Sequence, residues 1–135
     1  MKKLFITLLC VIAYIYADEA NPYYGVYQAK VSMPIEKEFI ANLKPQNPDN
    51  PRTGGYAKFK VTLLFNDKSA LKELEVKMDI VRSIINDVVS GFMANDLQSA
   101  QGRAKFAMTA TTSINAILTS SSIDGIAFPD FVIQP

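Results

Sequence analysis

Between Tyr56 and Phe92 the apolar residues change their spacing once, and no other feature of the 135-residue chain limits its fold so strongly. In the stretch YAKFKVTLLF, residues 56–65, Ala57, Phe59, Val61, Leu63 and Phe65 alternate with Tyr56, Lys58, Lys60, Thr62 and Leu64. A period of two places the first set on one face of a strand, with Lys58 and Lys60 keeping the other face wet. From Ser69 onward the spacing becomes three and four: Leu71, Leu74, Met78, Val81, Ile85, Val88 and Phe92, widened by Ile84 and Val89. That spacing makes one apolar stripe along a helix over about 69–93, and Asp67 or Ser69 offers an oxygen to its first free amides. The charged and polar residues Lys72, Glu75, Lys77, Asp79, Arg82, Asn86 and Asp87 fall elsewhere on the cylinder. A coiled-coil seam would use the same stripe, but three heptads without regular flanking charge pairs favour packing on the chain's own sheet.

The rest of the chain extends this plan. Residues Val26 to Met33 alternate like a half-buried strand that Pro34 ends, and EFIANL, residues 38–43, is a strand or an extended segment. Lys44 to Gly55 holds three prolines and two glycines and reads as an exposed loop. After a turn at Asn95 and Asp96, Ser99 can cap a second helix over about 100–118. Its narrower buried face carries Phe106, Ala107, Ala110, Ile114, Ile117 and Leu118. Ile123 to Gln134 returns to alternation, with Pro129 in the middle demanding an edge position or a bulge. The expectation is an α+β fold, a small sheet of about four strands with two helices, built as a single domain over 18–135.

Ahead of it stand Lys2, Lys3, an apolar run from Leu4 to Ala17, then Asp18 and Glu19. As a helix this run would reach roughly 21 Å, short of the ~30 Å hydrocarbon core. A basic start, an apolar middle and a small residue at Ala17 suit a signal peptide cleaved after Ala17, although Ile15 is bulky for the minus-three position. A retained short anchor is the alternative. Both readings put the remainder outside the cytoplasm.

Composition removes several function classes. With Lys2 and Lys3 set aside, 12 basic side chains face 13 acidic ones, which leaves no electrostatic footprint for nucleic acid. The sole cysteine, Cys10, lies in the leader, so the exported part has neither disulfides nor thiolate metal sites. There is no histidine, and with it go the histidine-dependent nucleophile systems and imidazole ligation. The carboxylates show no paired spacing and read as solvated charges. No cofactor and no catalysis are expected.

The ordered stretches FIANL (39–43), YAKFKV (from 56), KMDIVRSII (77–85), DLQSAQGR (96–103), INAIL (114–118) and GIAFPDFVIQ (125–134) resemble the FliL family of flagellar basal body-associated proteins. The resemblance covers essentially everything from Ile35 to Gln134. It implies a stomatin-like periplasmic domain that self-associates near the stator units, supports motility and has flagellar proteins as partners. It also implies fold-determining roles for Asn42, Leu43, Gly102, Arg103, Asn115, Phe128, Asp130 and Phe131, with the Asn42 amide bonding a turn. Two features depart from the family. The N-terminal apolar run is short where members usually carry a full membrane helix, and Pro129 stands where they usually have a backbone donor. A soluble scaffold module of another envelope complex, using the same fold, is the alternative reading.

Overall fold

The computed structural model describes residues 28–134, so the leader and the cleavage point at Ala17 lie outside the described residues. Its elements run in the order β1 (Val31–Pro34), β2 (Phe39–Asn42), β3 (Tyr56–Phe59), β4 (Thr62–Phe65), α1 (Ser69–Val76), α2 (Met78–Val89), α3 (Ala94–Leu97), α4 (Ala100–Ile117), β5 (Gly125–Ala127) and β6 (Phe131–Gln134). The architecture is α+β. The strands form two three-stranded antiparallel sheets, β1-β4-β5 and β2-β3-β6.

The register shows why one alternating stretch serves both sheets. Phe59 faces Phe131 and Thr62 faces Ala127, so Lys60 and Val61 stand against the three residues Phe128 to Asp130. On the other flank Phe59 faces Phe39 and Thr62 faces Pro34, so the same two residues oppose Ile35 to Glu38. The ribbon bulges on both sides at once and bends. Alternation survives the bend: Ala57, Phe59, Val61, Leu63 and Phe65 are all buried. Pro129 therefore sits in a bulge, one of its two expected positions. The neighbouring bond there runs from the Lys60 N–H to the Asp130 carbonyl at 3.0 Å.

The helix expected over 69–93 is bent at Lys77, whose φ of −100° and ψ of 14° leave the helical region. Its backbone bonds continue, Lys77 N–H to Glu73 and Val81 N–H to Lys77, so the axis bends without ending. The bend falls where the Lys77 side chain is pinned, its ammonium donating to the Ile117 carbonyl at 2.7 Å and to Glu73 at 3.0 Å. Lys77 is thus no free solvated charge. Regular helix stops at Val89 because Gly91 and Phe92 bond back to Val88 and Val89, which tightens the last turn. Leu74, Val81, Ile85 and Val89 are fully buried along the stripe, while Leu71, Met78, Ile84, Val88 and Phe92 lie half-buried against the core.

α4 begins as its sequence requires, the Ser99 hydroxyl accepting from the Gly102 N–H at 3.0 Å. Asp96 belongs to α3, a four-residue helix in place of the simple turn expected, and its carboxylate accepts the Met93 N–H at 3.0 Å. The Lys44–Gly55 loop closes the β2-β3 hairpin through its own side chains. Asn47 accepts from the Asp49 N–H, Asn50 from the Arg52 N–H, and Thr53 from the Asn47 N–H. Gly55, at φ 68°, takes a conformation that only glycine adopts freely. Asn42 is not among the residues whose side chains bond this turn; it is the exposed last residue of β2. Among the described residues no helix is long and apolar enough to cross a membrane.

Candidate interaction surface

Each side of the β2-β3-β6 sheet follows from its period of two. On the inner side Phe39, Phe59 and Phe131 share one row. The Phe59 ring stacks on Phe39 and Phe131 with centroids 5.1 Å away in both cases. Phe106 from α4 meets Phe59 edge-on at 5.7 Å and stacks on Phe128 at 5.0 Å. These rings bury large apolar area in favoured geometries, so this half of the sheet is stiff. Arg82 seals its β2 edge. The guanidinium lies 4.0 Å from the Phe39 ring centroid and donates to the carbonyls of Lys37 and Glu38 at 2.7 and 3.2 Å.

The outer side carries the neighbouring row, Ile40, Lys58 and Val132, and beyond it Asn42, Tyr56 and Gln134. Ile40 is 64% exposed, Tyr56 41% and Val132 42%. Single exposed apolar residues need no explanation, but three in register on one stiff sheet form a patch. A groove of about 390 Å³ crosses it, lined among others by Glu38, Tyr56, Lys60, Asp130 and Val132. Lys58 reaches Glu38 at 3.5 Å with both side chains substantially exposed, a bridge of small energetic weight.

The residues implied by the resemblance divide between packing, pinning and exposure. Leu43 is buried in the core, and Phe128 and Phe131 belong to the aromatic cluster. Gly102 allows α4 to approach α3, since a Cβ there would lie 2.6 Å from the Asp96 carbonyl carbon. Arg103 donates to the Leu97 and Gln98 carbonyls, both at 3.1 Å, and so closes the end of α3. Asn115 holds Ile123 by both backbone groups, donating to its carbonyl at 2.9 Å and accepting its N–H at 2.8 Å. Only Asn42 and Asp130 are exposed, and both lie along the outer side of the sheet.

Sequence reasoning overlooked one cluster. The Glu73 carboxylate accepts from the Thr119 hydroxyl at 2.7 Å, the Thr119 N–H at 2.9 Å, the Ser121 hydroxyl at 2.9 Å and the Lys77 ammonium at 3.0 Å. Bonds from Thr119, then from Lys77 and Ser121, hold its pKa far below the usual carboxylate range. Asp67 is also shifted down, by the Ser69 amide and hydroxyl it caps. The signal was present in the chain: Glu73 and Lys77 are one helical turn apart, and Thr119 to Ser121 supplies consecutive hydroxyls and amides, a ready anion nest. This cluster ties α1 to the end of α4 and is a structural latch.

Residues 32–134 match the family described as Flagellar basal body-associated protein FliL. The Flagellar protein FliL of Aquifex aeolicus (strain VF5) is 27% identical over 100 residues, covering 74% of this chain and 59% of that relative. The chain therefore matches little more than half the length of the relative. The family match takes in both sheets, all four helices, the aromatic cluster and the outward patch. This chain belongs to the FliL family of flagellar basal body-associated proteins.

Proposed function

We propose that this protein is a non-enzymatic component of the flagellar motor, exported by its N-terminal segment, that self-associates near the stator units and supports motility. Family membership over residues 32–134 carries the reading. The full sequence adds to it, having no histidine and a single cysteine placed in the leader. A stiff sheet presenting an apolar, mixed-charge patch suits a protein that acts through contacts with its neighbours. The domain spans 18–135 and works in the periplasm, either free after cleavage at Ala17 or held at the inner membrane by the uncleaved leader.

Deleting the gene tests the motor role: swimming speed and stator occupancy fall, most clearly in viscous medium. Unchanged values in liquid and viscous medium would remove the flagellar role. Mass spectrometry of the envelope protein's N-terminus tests export, a start at Asp18 meaning cleavage and an intact Met1 a tether. Recovery of the chain from the cytosol alone would contradict both.

A further inference from the structure

The outer side of the β2-β3-β6 sheet differs from the other exposed apolar positions. Val76 and Ile80 stand on the helices α1 and α2, where Lys72, Glu75 and Asp79 are also exposed, and Met108 stands alone on α4 in a groove lined by Lys105 and no acid. On the sheet, Val132 and Tyr56 lie between opposite charges. Lys60 and Asp130 are exposed at one end, and among the described residues neither forms an ion pair. Lys58 is engaged only by its exposed contact with Glu38. Two lysines and two acids leave this face with no net charge. Such a face has nothing to attract an anionic membrane or a polyanion, and its charges complement their own arrangement.

We infer that this face is where two copies of the chain meet, sheet against sheet, about a two-fold axis running along the strands between β3 and β6. The inference rests on the self-association proposed above and names its surface. In a two-fold interface a residue's contact is repeated by its symmetry mate. With β3 of one copy over β6 of the other, the register sets Lys60 over the partner's Asp130, Lys58 over the partner's Val132, and Tyr56 over the partner's Gln134. Both charges at the end of the patch find opposite partners. The lysine stem covers the exposed valine, and the tyrosine hydroxyl meets an amide. The bulge at Lys60 and Val61 bends the ribbon at this end and limits the contact to the β2-β3-β6 sheet.

Thiol cross-linking of the full chain in cells tests this, in a Cys10→Ser background with a short bismaleimide. Val132→Cys yields a dimer-sized adduct and Val76→Cys, on the helical side, does not. Adding Lys60→Asp lowers the dimer yield about fivefold, the scale of a surface ion pair turned repulsive, and so does Asp130→Lys. Co-expressing those two variants restores it, since each then supplies the charge the other lacks. Failure of co-expression to restore the yield would overturn the inference, as would a Val132→Cys adduct with a different protein. Dimers through Val76→Cys but not Val132→Cys would overturn this surface and leave self-association standing. If amine cross-linking of the native chain also gave no self-adduct, self-association would fall with it.

Discussion

The two ends of α4 are held by different physics. Near its start, Phe106 packs among Phe59, Phe92, Phe128 and Phe131, and stability there comes from apolar area removed from water. Near its finish, Asn115 pins Ile123, Lys77 takes the Ile117 carbonyl, and Glu73 gathers Thr119 and Ser121, so directed polar bonds do the holding. The first end tolerates no loss of volume. The second tolerates no loss of a partner, since a donor or acceptor left without its bond costs more than the bond itself contributes. The outward patch lies behind the aromatic end, on the opposite side of the strands that carry the stacked rings. Rigidity there keeps exposed apolar groups in fixed register, which a surface for association needs.

Substitutions at the two ends should separate these mechanisms. Phe59→Ala removes the ring that four others touch and leaves a cavity, with a destabilisation of about 3–5 kcal/mol in denaturant titration. A cost below that of a surface change would mean the aromatic end is not the core of the fold. Asn115→Ala strands both backbone groups of Ile123, itself only 3% exposed, and costs about 1–3 kcal/mol. Replacement by Asp, which keeps the acceptor and loses the donor, should recover part of that loss if hydrogen bonding and not shape is responsible.

Glu73 distinguishes the ends by pH. Its folded value lies below the unfolded value near 4.5, so the stability it contributes is fully present above about pH 4.5 and is lost as pH falls toward the folded value. Glu73→Gln should flatten the acid side of a stability profile and leave the neutral-to-alkaline side parallel to the native one. An unchanged acid limb would remove the latch. The smallest effect on stability belongs to the outward patch: Val132→Lys, at a position 42% exposed, should change it by about 0.5 kcal/mol or less.

Much of this was legible in the chain. Alternation over 56–65 and the three-four stripe over 69–92 gave the strand faces, the buried set and the α+β class, because burial enforces those periods. Ser99 announced its cap. Pro129 announced an edge position or a bulge, and it sits in a bulge. The split of the strands into two sheets was not legible, because a bulge preserves the alternation of side chains while shifting the register of their partners. The bend at Lys77 was equally hidden, since the apolar stripe passes it unbroken and its cause is the Ile117 carbonyl, 40 residues away. Asn42 was expected to bond a turn, yet Asn47, Asn50 and Thr53 already satisfy it. The parts of the Glu73 latch were legible, in the Glu73–Lys77 spacing and the hydroxyls of Thr119 to Ser121, but their meeting spans 46 residues and no local pattern reports it.

Cells in which Val132→Lys replaces the native chain give the most direct measurement of the claim that a rigid core serves an outward protein-binding face. Protein from those cells should melt with the native protein, while their swimming speed falls to that of cells lacking the chain. Native swimming speed with the variant folded and exported would contradict it.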